Sequence, residues 1–573
     1  MFRLPATAAI ALCVALLAAA CAPAAPPSAP AAAPAAPAPA APTSRPTPST
    51  PRVASTPAPS APSAPAQTAR PAETVKRGGT LNIPHRDEPA HLDFHLTSVA
   101  GSRIIIGVYS RLIRPEMAEG KTQPFDYVPQ GDLAERWEQS SPTTWIFYLR
   151  KNAKFHNTPP VNGRPVTAGD VVWSFQRAVF TKGGAQSGIF ETLKSVERVD
   201  DHTVKFTLKS PDTTFFDNLM SDKTVVVAPK EVVEKEGDLK RTTIGSGPWI
   251  FKGWVRGSRI TVVRNPDSYL SGEPFLDQMN FILLPDQQTS IAAFKAGRLD
   301  LIDPSVKSQV NDILRSLPAA KMTSQPSGPS WLFARADLPP TKDVRVRRAL
   351  SMAINRQRII DTVLEGEGEV TSMILSAIPD ALPKSEWGEA GKNMAYNPGE
   401  AKRLLQEAGY KKEKVGLWQT PAFGAYLLSE GEAIAEDFRQ VGVNAESMVR
   451  DYATFITTSY GGKYENLSLF PQVALPFWHN WVADYLRTGG RVAVTKHSDA
   501  QLDEVIDKAR TEMDPAKRRQ YIREALRINM ERVYTIPIVA GRAFTIRQPY
   551  VRNWVEHYDW RTSSHHTRVW LDR

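Results

Sequence analysis

The sequence predicts an α/β fold with more than one domain, and three observations predict it. Segments with period-two apolar alternation interleave with helical apolar stripes from about residue 76 onward. That body of nearly five hundred residues exceeds one small domain and fits two or three. Beyond residue 20, no apolar run approaches the ~20 residues of a membrane-spanning helix.

The chain opens with one cation, Arg3, and a run from Leu4 to Ala20 that is apolar apart from Thr7. This is the pattern of an export signal rather than a membrane span. Cys21 follows Ala18-Ala19-Ala20 directly, and the arrangement resembles a bacterial lipobox with Cys21 as the lipidated first residue after cleavage. Ala18 stands where Leu is usual, with Leu17 one step early; Cys13 lies inside the apolar core of the signal. The alternative is a plain secretory signal cut near the same place. No cysteine follows Cys21, so a disulfide framework and a cysteine metal site are both excluded from the body.

Residues 22–75 are dominated by Ala, Pro, Ser and Thr and cannot build a core. Such a tract is a semi-extended spacer reaching at most about 170 Å at ~3.1 Å per residue. Beside a lipid anchor it reads as a tether. The body carries 66 Lys and Arg against 59 Asp and Glu, a modest excess. It has no basic run and no basic stripe with interleaved aromatics, which argues against nucleic acid.

The elements follow in order. "TTWIFYLRKNAKFHN" alternates Trp145, Phe147 and Leu149 against Ile146 and Tyr148, then turns at "KNAK". "PVTAGDVVWSFQRAVF" predicts a helix with Thr167 as N-cap, Asp170 three residues on, and Val171, Val172, Phe175 and Phe180 along one stripe. "SVERVDDHTVKFTLKSP" is a hairpin around Asp200-Asp201. "TKDVRVRRALSMAINRQRIIDTVL" predicts one long amphipathic helix from near Asp343. "YNPGEAKRLLQEAGY" has Asn397 as cap, Pro398 in the first turn, Leu404, Leu405 and Ala408 inward and Gly409 at the stop. "DPAKRRQYIREALRINMERV" repeats that grammar with Asp514 and Pro515, burying Ile522, Leu526 and Met530. These stripes are core packing and carry no chemistry.

Motifs of catalysis are sparse. No GxxxxGK[ST] loop and no HExxH occur, and Ile244 breaks a nucleophile elbow at Gly245-Ser246-Gly247. His91 and His95 in "HLDFH" would pair on a helix, but the surrounding alternation suggests extended chain, in which four residues span ~13 Å. His565 and His566 are adjacent and would point opposite ways in a strand. No metal and no cofactor are expected.

Several segments together resemble one family. "LAERWEQSSPTTWIFYLRKNAKFHNTPPVNGRPVTAGDVVWSFQRAV" is similar to the signature region of the extracellular solute-binding proteins of family 5, the dipeptide-, oligopeptide- and nickel-binding components of ABC importers. "TPPVN" after Asn157 replaces a shorter turn. "IGSGPWIFKGWVRGSRITVVRNPDSYL", "DQQTSIAAFKAGRLDLI", "DLPPTKDVRVRRALSMAINRQRII", "NPGEAKRLLQEAGY" and "ARTEMDPAKRRQYIREALRINMERVYTIPI" follow in the family's order, over about residues 76–540.

The resemblance implies a two-lobed periplasmic-binding-protein fold of type II, with an inserted subdomain and a hinge cleft. Residues 76–112, 245–330 and 535–573 would form lobe I, 113–244 its inserted subdomain, and 331–534 lobe II. It implies a monomeric binder that closes on a peptide and delivers it to membrane permease subunits, anchored by lipid and facing the periplasm or the exterior. A nickel chelate, a sugar or an opine-like solute is the alternative cargo, and a secreted hydrolase the alternative class. Peptide-binding relatives hold the ligand's ammonium with an aspartate in a stretch like "W.ADY.DP". Here "FWHNWVADYLRTGG" offers Trp478, Trp481, Asp484 and Tyr485, with Asp484 at the matching place and "LRTGG" where Asp-Pro is expected. The alternative makes the two tryptophans core and Asp484 a cap. Trp418 and Tyr426 follow a strand end, and His95, Thr97 and Ser98 come from the first lobe.

If Cys21 is lipidated, the full chain expressed in a bacterial host partitions with membranes, and Cys21→Ser releases or mislocalises it. A soluble, unmodified wild-type pool would leave the plain secretory reading.

Overall fold

The computed structural model describes residues 74–573 except 87, 97–104, 106, 118–121, 123, 126, 222–223 and 558–562. Cys21, the spacer through residue 73, Thr97 and Ser98 lie outside the described residues. Residues from Glu73 on form one compact unit. Among the described residues, no helix is long and apolar enough to cross a membrane.

Three sheets organise this unit. The first has four strands, in the order Thr80–His85, Gln278–Leu283, Arg259–Arg264, Trp249–Val255, and its first two are parallel. The second is antiparallel, in the order Ala134–Ser141, Thr144–Leu149, Thr203–Leu208, Leu193–Asp200. Its strands all come from the stretch expected as an inserted subdomain. The third and largest places Thr535–Arg547 beside Lys321–Ala334, then Leu467–Pro471, Lys414–Gln419 and Asn444–Val449. The last three run parallel to one another.

Lys321–Ala334 and Thr535–Arg547 pair antiparallel over nearly their whole length. At one end Leu301–Ile302 joins at Ile546 and Arg547, and Asp300 beside it accepts from Asn82 N of the first sheet. At the other end the same two strands sit inside the largest sheet. They therefore link the two halves, and the boundary expected at 330/331 falls inside one of them. Their register shifts between Pro326 and Trp331. There Gly328 passes so close to its neighbour that a Cβ would lie 1.8 Å from the Gln472 carbonyl oxygen, a site for glycine alone.

Local chemistry explains most helix starts. Thr167 N donates to Asp170 Oδ2 at 2.9 Å, the reciprocal half of a capping box. Asn397 accepts from Glu400 N at 3.0 Å, and Asp514 from Ala516 N and Lys517 N at 2.8 and 2.9 Å. Ile522, Leu526 and Met530 are buried. The hairpin at Asp200 forms with Thr203 as its partner.

Four local expectations are corrected. The helix Ala168–Phe175 widens into a π-turn over Gln176–Phe180, which swings Phe180 off the stripe and leaves it 41% exposed. The long helix from Asp343 is two helices, Val344–Ala353 and Arg356–Thr362. Asn355 breaks it by capping the second with its own side chain, which accepts from Arg358 N at 3.0 Å. "HLDFH" forms a turn, not a strand: Asp93 N donates to His91 Nδ1 and His95 N to Asp93 Oδ1. His566 sits in the 3₁₀ turn Ser563–Arg568, buried against Trp554, rather than in a strand.

Arg356 pins the helix break. It is 3% exposed, and its guanidinium donates to the carbonyls of Ser351, Met394 and Pro537 at 2.9–3.0 Å, with no ion pair to a carboxylate among the described residues. Burial pushes its pKa down to about 9, still charged at neutral pH. Arg356→Leu strands three buried carbonyls at ~1–3 kcal/mol each. Chemical denaturation should therefore show a loss of at least about 3 kcal/mol, and a loss below about 1 kcal/mol would contradict this role.

Candidate ligand cleft

In open α/β sheets, ligands settle at the carboxyl ends of parallel strands, where loops diverge and backbone amides face outward. Two such edges exist here. In the largest sheet, the strands ending at Gln419, Val449 and Pro471 lead into loops carrying Thr420, Arg450 and Gln472. In the first sheet, the parallel strands end at His85 and Leu283, followed by Arg86. Residues of the two edges come near one another, since the Arg86 charge acts on the Tyr426 hydroxyl. Burial, with the nearby Glu430, pushes that hydroxyl up to about 12.

Asp484 lies on the short helix Ala483–Leu486. Its Oδ2 accepts from Arg491 Nη2, and its own carbonyl accepts from Val492 N at 2.8 Å. The carboxylate is 17% exposed and the guanidinium 35%. Asp484 is not the cap of that helix, since Val482 holds the cap position. The floor beneath it is aromatic. Trp478 and Trp481 are 2% and 1% exposed, and Trp481 Nε1 donates to Leu475 O at 2.7 Å. Tyr485 stacks on Phe333 at 5.6 Å, meets Trp331 edge-on at 5.0 Å, and donates from its hydroxyl to Gln472 Oε1 at 2.7 Å. These rings form the core on which the helix Ala483–Leu486 packs.

Trp418 is half-buried in the same core cluster, under the Arg450 guanidinium at 4.9 Å from its ring centre. Tyr426 packs on the other face of the sheet. His95 belongs to the first lobe's interior: its Nε2 meets Val226 O at 2.7 Å, and desolvation lowers its pKa to about 4. Ser246, between the two glycines of "GSGP", is buried and bonded to Ser110 Oγ at 2.9 Å. A Cβ at Gly245 or Gly247 would lie 2.1 or 2.3 Å from backbone oxygens of 107–108, so these glycines serve a chain crossing.

Sequence reasoning missed Arg491, seven residues past Asp484, and the contacts that join the inserted subdomain to lobe II. Arg510 donates to Glu191 Oε1 at 2.5 Å and to Asp212 Oδ2 at 3.5 Å, while its carbonyl accepts from Thr213 N at 2.9 Å. His479 Nε2 meets Asn218 Oδ1 at 3.0 Å, and Tyr127 meets Phe477 edge-on at 4.8 Å. The only sequence trace of Arg491 was the departure from Asp-Pro that precedes it. The interlobe partners lie about 260 to 350 residues apart, where no local pattern reaches.

Two sheets with parallel-strand carboxyl ends, linked by two long antiparallel strands, give the layout of a two-lobed protein. The comparisons agree. The model for bacterial extracellular solute-binding proteins, family 5 (middle), matches residues 128–490, well over half the chain. Di/tripeptide-binding protein 1 of Pseudomonas aeruginosa is 26% identical over 474 residues, covering 77% of this chain and 84% of that protein. Among solved structures, AgaA from A. tumefaciens R10, in complex with agropinic acid, superposes with a TM-score of 0.74 at 24% identity, covering 86% of this chain and 99% of that one. DppA from Helicobacter pylori, in complex with the peptide STSA, gives 0.74 at 20%, covering 87% and 99%. These likenesses establish the two-lobed periplasmic-binding-protein fold. The chain belongs to the bacterial extracellular solute-binding proteins, family 5. It is thus an exported protein of a family of binding proteins rather than enzymes.

Glu430 offers a test of how the site region is held. It is 1% exposed and lies against Ser330 Oγ, which is also 3.2 Å from Val539 O. One hydroxyl hydrogen serves only one of these acceptors, so the second bond needs a proton on Glu430. Burial keeps it there, pushing the carboxyl up to about 8. Folded protein therefore holds a proton that unfolded chain, with a pKa near 4.5, has lost. Stability is highest below about pH 4.5 for this group and falls until about pH 8. Glu430→Gln removes that slope. The melting temperature of the variant relative to wild type should rise between pH 5 and pH 9, and an equal offset at both would contradict a protonated Glu430.

Proposed function

We propose that the protein is the ligand-capturing component of an ABC importer, and that its cargo is a small peptide enclosed as the two lobes close. The observation that carries this reading is Asp484 on its aromatic floor in the sheet whose two longest strands link the halves of the molecule. Support comes also from the named relatives, di/tripeptide- and dipeptide-binding proteins of Pseudomonas aeruginosa and from the peptide-bound neighbour.

In this proposal a ligand touching both walls favours the closed form by its differential affinity, a population shift rather than a chemical step. Asp484 receives the peptide ammonium at Oδ1, which no described residue occupies. Trp418 and Tyr426 border the cleft; Trp478, Trp481 and Tyr485 support Asp484 from beneath; His95 braces the wall of lobe I. No catalysis takes place. Closed protein docks on permease subunits in the membrane, from which the lipid on Cys21 and the spacer keep it within reach. The segments 76–112, 245–330 and 535–573 move as one lobe with 113–244, against 331–534.

Calorimetric titration of Ala-Ala and Ala-Ala-Ala tests the assignment. Asp484→Asn keeps shape and removes charge, and should cost about 2–5 kcal/mol of affinity, the usual loss for one member of a buried charge pair. Its cost in stability should stay under about 1 kcal/mol, because the partner Arg491 remains partly hydrated. Peptide binding that survives the substitution would remove Asp484 from the site. Failure of wild type to bind any peptide would turn the cargo to an opine-like solute, a sugar or a nickel chelate.

A further inference from the structure

The short helix carrying Asp484 continues into "LRTGGRVAVTKH", and this stretch wraps a cavity of about 390 Å³. That volume falls within the ~300–1,000 Å³ of small-molecule sites. Its polar lining comes from Tyr460, Arg491, Lys496 and His497, with Gly489 and Gly490 leaving backbone at the wall. His497 is committed to structure, its Nε2 meeting Leu486 O at 2.7 Å and its Nδ1 meeting Thr495 Oγ1 at 2.6 Å. Desolvation lowers its pKa, which keeps it uncharged near neutrality. Two cations remain. Arg491 is shared with Asp484. Lys496 forms no ion pair with a described residue, since the nearby Asp337 is already gripped at both oxygens by Arg335, at 2.7 Å each. Arg491 and Lys496 against Asp484 leave the cavity with one net positive charge.

The position of Arg491 ties the cavity to lobe closure. Its aliphatic stem lies against Gly188 of the inserted subdomain, where a Cβ would sit 3.3 Å from Cδ and 3.5 Å from Cγ. The guanidinium therefore stands where lobe II meets the other half of the molecule, next to the carboxylate proposed for the cargo's ammonium. A planar fork with donors to spare is suited to a carboxylate. Asp484 takes one of its amino groups and leaves the rest for a second acceptor.

We propose that the cavity lined by Arg491 and Lys496 receives an anionic group carried beside the cargo's ammonium, so that the preferred cargo is a peptide whose first residue is acidic. This rests on the peptide reading above. Asp484 Oδ1 takes the ammonium, while the first side chain's carboxylate enters the cavity and is held by Arg491 and Lys496.

The dipeptides Asp-Ala and Asn-Ala have nearly the same shape and differ in one charge. Titrated calorimetrically into wild-type protein, Asp-Ala should bind about 10- to 100-fold more tightly, the worth of a hydrogen bond to a charged group. Arg491→Met should bring that ratio close to one, Lys496→Met should reduce it, and Arg491→Lys should restore part of it. Equal affinities in wild type, tighter binding of Asn-Ala, or a preference that survives both methionine variants would overturn the proposal and leave the peptide reading standing. Absence of binding by both dipeptides would overturn the two together. The wild-type ratio decides even if a variant fails to fold.

Discussion

Everything in the binding unit depends on one antiparallel pair, Lys321–Ala334 with Thr535–Arg547. One end is stapled to the first sheet through Leu301–Ile302 and Asp300, and the other is the spine of the largest sheet. A pair this long would be stiff if its ladder were regular. The register shift between Pro326 and Trp331 interrupts the ladder at mid-length, where neither proline can donate a hydrogen bond. Bending is thereby confined to a few residues, with intact ladder on both sides, which is what rotation of two rigid halves requires. Gly328 packs against Gln472 at the same place, and Gln472 accepts from the Tyr485 hydroxyl. Bending of the strands and placement of the Asp484 helix are thus joined through one residue.

The interior around this spine keeps charge without pairing it in the usual way. Arg356 and Arg347 are both nearly buried, and both are satisfied by main-chain carbonyls rather than by carboxylates. Arg347 closes the C-terminal end of the helix Pro515–Arg532 by donating to Arg532 O at 2.8 Å. A guanidinium with five donors can stitch several helix ends at once, where separate caps would need as many side chains. Lobe II is built largely from short helices, so it has many ends to stitch. The seam to the inserted subdomain mixes charge and rings: there Arg510 faces Glu191 and Asp212, and Tyr127 meets Phe477. Rupture of the Arg510–Glu191 pair exposes little apolar surface, because Glu191 is already half exposed, whereas parting Tyr127 from Phe477 uncovers a ring face.

Much of the fold was legible in the sequence because it is written locally. Caps at Thr167, Asn397 and Asp514, the hairpin at Asp200 and the stripes of the last two helices all formed as read. Two of the errors share a cause. At Asn355 and in "HLDFH", a tertiary partner outweighed periodicity: Asp437 for Asn355, and Arg177 and Leu239 for Asp93. Periodicity predicts which face is apolar, but not where a buried polar side chain will interrupt the ladder. The site was less legible still. Asp484 could be proposed because its position resembles a known pattern, whereas Arg491 comes beside it only once the loop is folded back through Val492 N onto the Asp484 carbonyl.

In the proposed site, that fold-back sets the energetics of capture. A lone carboxylate waiting for an ammonium must lose its water when the lobes close, and this desolvation offsets much of the new ion pair. With Arg491 already in place, Asp484 has exchanged part of its hydration for a fixed partner before any ligand arrives. Less reorganisation remains at the moment of closure, which is the advantage of preorganised polar sites. The cost is that an arriving ammonium meets a carboxylate whose charge is partly cancelled, so attraction for a simple cation is weakened. Both effects scale with how dry the closed site becomes, and Gly188 lets the inserted subdomain come close enough to cover the Arg491 stem. On the proposed assignment, discrimination at this place rests less on Asp484 than on the charge balance of the loop that follows it.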